Sequence, residues 1–154
     1  MEIERKFLIQ KLEELPFSPF NHPHKELEQG YLCTAPVVRI RREDDDYVLT
    51  YKSKGLMSRE EYNLPLNEES FTHLKEKIDG LLIQKRRYLI PLGEKYTIQL
   101  DVFEGALAPL VLAEVEFETE EEANTFVPPE WFGEDVTFST KYHNSTLSQR
   151  TFSS

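Results

Sequence analysis

Apolar and charged residues alternate along most of this chain with a period of two, the spacing that sends successive side chains to opposite faces of a β-sheet. The opening stretch MEIERKFLI sets the pattern, with Glu2, Glu4 and Lys6 on one face and Ile3, Phe7 and Ile9 on the other. Continued to the end, the same spacing predicts eight strands, over residues 2–9, 26–32, 37–43, 47–54, 59–66, 82–90, 95–103 and 110–118. The acidic turn Asp44-Asp45-Asp46 separates the third from the fourth, so this run reads as a meander of hairpins.

Two segments break the alternation with helical signals. Residues 67–80 carry an Asn cap, early acids, later lysines and a closing Gly, with Phe71, Leu74 and Ile78 on one face. Residues 119–126 place Thr119 ahead of three glutamates and predict a short helix. Pro16 to Pro23 and Pro128 to Gly133 read as loops inside a single domain spanning residues 1–154. The expected fold is mainly β (α+β): an eight-stranded antiparallel closed β-barrel with a few short helices outside, since closure removes exposed strand edges. A two-sheet sandwich is the alternative.

The polar faces carry the chemical information. Arg39 and Arg41 share one face of the third strand, with Val38 and Ile40 behind them. Thr50, Lys52 and Lys54 share a face, as do Arg59, Glu61 and Asn63, and Thr97, Gln99 and Asp101. On the last strand Glu114, Glu116 and Glu118 lie opposite Ala113, Val115 and Phe117. Any one of these is an ordinary solvated strand face. Taken together they are sorted by sign, whereas solubilising faces intersperse signs. A sheet curled with this face inward would need its apolar side covered by helices, loops or a second subunit.

An inward face of clustered charge requires a ligand. Two acids about 4 Å apart repel by roughly 4 kcal/mol near a protein surface, so they take up a proton or bind a cation. Hard oxygen donors suit Mg²⁺ or Mn²⁺. Clustered Arg and Lys call for a polyanion, and the forked donors of Arg match phosphate. Acids for metal beside bases for phosphate describe a site for a metal-bound polyphosphate.

Composition narrows the partners. Acids outnumber bases 28 to 18, a formal charge of -10, which excludes general adhesion to a nucleic acid duplex or an anionic membrane. The lone Cys33 makes neither an internal disulfide nor a zinc site. Acids stand where a signal peptide would carry bases, and no apolar run approaches the roughly 20 residues of a membrane span, so the expected location is cytoplasmic.

Five charged motifs occur in order: E-x-E-x-K at Glu2, Glu4 and Lys6; R-x-R at Arg39 and Arg41; T-x-K at Thr50 and Lys52; K-x-R at Lys85 and Arg87; and E-x-E at Glu114 and Glu116. With the flanks EQGYL, DVFEGALAPL and TKYHNSTL, the chain from Met1 to about Leu147 resembles the CYTH superfamily, the triphosphate tunnel metalloenzymes. The resemblance implies an eight-stranded antiparallel tunnel and metal-dependent hydrolysis of a triphosphate, most simply inorganic tripolyphosphate to pyrophosphate and orthophosphate. It implies that Lys6, Arg39, Arg41, Lys52, Lys85 and Arg87 grip the phosphates as the catalytic bases, with Lys141 near the tunnel mouth. Glu2, Glu4, Glu114 and Glu116 would hold Mg²⁺ or Mn²⁺, with Asp101 and Glu118 as metal or water partners.

In LIQKRRYLI both faces carry a base, so the K-x-R match, not parity, selects Lys85 and Arg87 over Arg86. Lys54, Arg59 and Glu61 have the right parity for supporting contacts, and equally for structural ion pairs. His22, His24, His73 and His143 fall in none of the motifs, while Trp131, Phe126, Phe132 and Phe138 read as cover for the barrel. The expected partner is a small-molecule triphosphate or polyphosphate, bound by a monomer or homodimer. Rival readings are an adenylate cyclase or thiamine triphosphatase of the same superfamily, a non-catalytic polyphosphate-binding module, and a barrel carrying an apolar ligand.

Overall fold

The computed structural model of the chain describes residues 3–53, 60–142 and 147–148. Eight strands run in chain order: β1 (Ile3–Leu8), β2 (His24–Thr34), β3 (Val37–Glu43), β4 (Asp46–Lys52), β5 (Glu61–Leu66), β6 (Asp79–Leu92), β7 (Tyr96–Glu104) and β8 (Val111–Phe117). They form one sheet in the order β1-β8-β7-β6-β2-β3-β4-β5, with β1 and β5 as its terminal strands. Two short helices accompany it, α1 (Glu68–Lys75) and α2 (Glu120–Thr125). No helix among the described residues is long and apolar enough to cross a membrane.

Each predicted strand is present, but no pairing of β1 with β5 that would close the expected barrel is found among the described residues, and the helix expected over 67–80 departs as well. Asn67 does cap α1, in a reciprocal box with Ser70, but the helix stops at Lys75 and β6 begins at Asp79. Ile78 packs instead against Gly30 of β2, where a Cβ would come within 2.7 Å of its Cγ2. The half-buried isoleucine gains this contact in place of one more helical turn, helix propensity being a weak preference beside packing.

The chain divides into two compact units, residues 1–25, 86–104 and 108–139 in the first, and 26–85, 105–107 and 140–154 in the second. In the first unit β1 and β7 flank β8, antiparallel to it. The apolar face carries Phe7, Ile98, Leu100, Ala113, Val115 and Phe117, joined by Ala123 of α2 and by Phe126, Trp131 and Phe132. Phe7 is a keystone of this face, its ring 4.9 Å from Phe132 and 6.3 Å from Phe126. Phe7→Ala is therefore expected to lower unfolding free energy by about 3–5 kcal/mol, read from the denaturant midpoint.

The other edge of β1 is occupied by the segment after the aromatic cover. Leu8 N–H donates to Glu134 O at 2.8 Å and Val136 N–H to Lys6 O at 2.8 Å. Thr137 Oγ1 accepts from Lys6 N–H at 3.0 Å. Phe138, expected among the covering aromatics, is instead 95% exposed. It follows the turn at Thr137, past the residues that pair with β1.

In the second unit β2 to β5 form the expected meander. Asp44 takes a left-handed φ of 52° at the acidic turn, a conformation that Asp tolerates better than most residues. Its carboxylate accepts from Glu26 N–H at 2.9 Å, tying the turn to β2. Phe71 of α1 packs its ring 5.3 Å from that of Tyr47.

Candidate active site

Strand pairing in the first unit sets acids and bases against one another. Lys6 of β1 stands opposite Glu114 of β8, and Glu4 opposite Glu116. The Lys6 Nζ lies 3.4 Å from Glu114 Oε1, and Arg87 Nη2 lies 3.7 Å from Glu114 Oε2. Arg87 also makes a forked contact with Asp101, donating from Nε to Oδ1 at 2.8 Å and from Nη2 to Oδ2 at 3.0 Å. Burial works to depress the Arg87 guanidinium, but the charges of Asp101, Glu114 and Glu4 hold its pKa well above the ordinary arginine value. It is a permanent cation in a carboxylate-rich setting.

Glu4 and Glu116 face each other as like charges across a strand pair, an arrangement that destabilises a sheet unless something neutralises it. Among the described residues no three carboxylates, imidazoles or thiols group closely enough to hold a metal by themselves. The donors present nevertheless fit a hard cation such as Mg²⁺, which keeps several waters and is held by one or two carboxylates together with substrate phosphates. Glu116 and Glu118 are exposed, and Glu118 lies beyond the end of β8. Glu2 is outside the described residues.

The second unit carries its own set of bases. Arg39 and Arg41 share a face of β3 and stand opposite Tyr31 and Gln29 of β2. Arg39 Nη2 donates to Thr50 Oγ1 at 3.3 Å, and Thr50 Oγ1 donates to Asn63 Oδ1 at 2.7 Å, a chain running from β3 across β4 to β5. The Nε of Arg39 is buried with no hydrogen-bond partner among the described residues. An unmet buried donor costs about 1–3 kcal/mol, more when charged, so this atom is arranged for an acceptor that arrives from outside. Burial pushes the Tyr31 phenol above its ordinary pKa, partly offset by Arg39, Gln29 and Arg41, and it remains a proton donor at neutral pH.

The remaining expected positions sort by face and by partner. Lys52 pairs with Glu61 at 3.3 Å, so Glu61 serves as its counter-ion. Arg41 lies 3.5 Å from Glu43. Lys85 is buried in β6. Arg86, on the opposite face that parity alone could not rule out, is half exposed and lies 3.5 Å from Glu104. Arg42 likewise faces away from Arg39 and Arg41 and pairs with Glu28 at 2.9 Å. Lys141 is exposed, its ammonium 5.5 Å from the Tyr142 ring centroid. Lys54 and Arg59 lie outside the described residues, as does His143. His22 packs on Phe17 and His24 on Tyr88, while His73 sits in the last turn of α1.

Tyr31 and Gln29 are the residues that charge patterning passes over. The signal for them was strand parity: both stand cross-strand from the R-x-R arginines, on the same face.

The model of the CYTH domain family matches residues 1–152. An inorganic triphosphatase of Nitrosomonas europaea is 40% identical over 150 residues, 95% of each chain. An inorganic triphosphatase of Acetivibrio thermocellus is 33% identical, over 95% of this chain and 92% of the relative. The crystal structure of the inorganic triphosphatase NE1496 superposes with a TM-score of 0.80 at 37% identity, covering 97% of this chain and 95% of that one.

Proposed function

Because the chain belongs to the CYTH domain family, we propose that it is a divalent-metal-dependent hydrolase that cleaves inorganic tripolyphosphate to pyrophosphate and orthophosphate. The observation that carries this reading is the Nε of Arg39, buried within a face of bases with no acceptor among the described residues, a donor suited to a phosphate oxygen. Two relatives named inorganic triphosphatase, each similar along nearly the full chain, support the choice of substrate.

In this reading Arg39, Arg41, Lys52, Lys85, Arg87 and Lys6 hold phosphate oxygens, with Lys141 a further base toward the open end. They stabilise the negative charge that spreads over the equatorial oxygens as the terminal phosphoryl group departs. Glu4 and Glu116, with Glu2 and Glu114, would hold Mg²⁺ or Mn²⁺. That cation, when bound, supplies charge neutralisation along the phosphate chain and acidifies a water molecule. Glu118 stands as an outer partner of the same set. Tyr31, a neutral phenol beside Arg39, is placed to donate to an oxygen that Arg39 also holds. The finer architecture of the proposal is a single domain over residues 1–154 whose eight strands close into a tunnel, in a cytoplasmic protein.

A substrate panel with phosphate detection, run with Mg²⁺ and with Mn²⁺, tests the reading. Orthophosphate released faster from tripolyphosphate than from ATP or thiamine triphosphate is the expected result. Cyclic AMP from ATP, a preference for the thiamine ester, or tight binding with no release under either metal would overturn it.

A further inference from the structure

We infer that Asp101, one of the acids expected beside the metal, is a positioning residue for Arg87 and not a metal ligand; the inference rests on the triphosphatase reading above. Asp101 is completely buried in β7. Both of its carboxylate oxygens accept a hydrogen bond from the same guanidinium, Oδ1 from Nε at 2.8 Å and Oδ2 from Nη2 at 3.0 Å. A metal at those oxygens would sit directly against a fixed positive charge, a pairing that like-charge repulsion opposes in a buried setting. The opposed carboxylates Glu4 and Glu116 stand on the neighbouring strand pair, apart from that fork.

The forked contact has a mechanical result. An arginine side chain is long and rotamer-rich, and a bidentate carboxylate fixes both its direction and the plane of its guanidinium. Held through Nε and Nη2, Arg87 keeps its Nη1 edge outside the pair with Asp101. In the proposal that edge meets the phosphate chain. Glu114 braces the same guanidinium from β8, 3.7 Å from Nη2, and also pairs with Lys6. Asp101 thus sets where one phosphate-binding base stands without touching substrate itself.

The test is a cycle of Asp101→Asn, Arg87→Met and the double variant, with folding checked by thermal melts. Mn²⁺ affinity is measured by electron paramagnetic resonance on substrate-free protein, and kcat and KM are measured with tripolyphosphate. For Asp101→Asn the expected result is a fall in kcat of about 100-fold, with Mn²⁺ affinity unchanged within twofold. Adding Asp101→Asn to Arg87→Met should change kcat by less than threefold, since the residue it positions is already gone. A tenfold loss of Mn²⁺ affinity in Asp101→Asn or in the double variant overturns the inference, as does full kcat in a folded Asp101→Asn. A further tenfold loss of kcat from Arg87→Met to the double variant overturns it as well.

If Asp101→Asn alone does not fold, the double variant decides, because it leaves no unpaired Arg87; its Mn²⁺ affinity must then match the parent protein. Should the parent release no phosphate from any substrate, the functional reading has failed separately. Tripolyphosphate affinity by calorimetry then replaces kcat in the same cycle, with weaker binding in Asp101→Asn and no added loss in the double variant supporting the inference.

Discussion

Arg39→Ala is expected to lower kcat/KM for tripolyphosphate by about 10²–10³-fold, the range seen when a fixed donor to a developing oxyanion is removed. Its folded state should be no less stable than the parent, and somewhat more so. Arg39 is held in place by Thr50, itself anchored on Asn63, while its Nε lies buried without an acceptor among the described residues. Such a group costs stability in the empty protein and is satisfied only when an anion arrives. Removing it relieves the cost and deletes the function, the opposed signs expected of a binding residue. Steady-state phosphate release together with a thermal melt reads both. A large fall in melting temperature with activity retained would mark Arg39 as structural.

Glu116→Gln is expected to remove metal-dependent turnover, a loss of about 10²-fold or more, since a bound cation lowers the barrier by several kcal/mol. In the metal-free protein the same change should be neutral or stabilising by about 0.2–1 kcal/mol, because Glu4 and Glu116 are directly opposed like charges. The parent protein should gain about 2.7 kcal/mol at a metal concentration a hundredfold over Kd. Glu116→Gln should lose most of that gain. Thermal melts with and without Mg²⁺ measure both effects, and an unchanged metal-induced shift would remove Glu116 from the metal set.

Period-two alternation made the strands readable, because each buries one face and a slip of one residue would turn every charge into the core. The caps Asn67 and Thr119 marked their helices correctly, since capping is local chemistry. The end of α1 was not readable: it depends on Gly30, some fifty residues away in sequence, accepting Ile78. Phe138 failed for a related reason, since its exposure follows from where the segment after Val136 leaves β1.

Parity grouped the bases by face, but between Arg86 and Arg87 it could not choose, and only their separate partners in β7, Glu104 and Asp101, distinguish them. Which acids neutralise bases and which stand opposed was beyond the sequence. Glu114 and Glu116 belong to one motif, yet strand register sets Glu114 against Lys6 and Glu116 against Glu4. Register is a tertiary property, and it divides two glutamates that look alike in the chain.

A crystal structure of the protein with tripolyphosphate and Mn²⁺ would show which face of the sheet holds the anion. The expected result is a phosphate oxygen within hydrogen-bond distance of Arg39 Nε, with the anomalous Mn²⁺ signal on Glu4 and Glu116. Tripolyphosphate bound on the opposite sheet face, beside Arg42 or Arg86, with Arg39 Nε still without an acceptor, would contradict it.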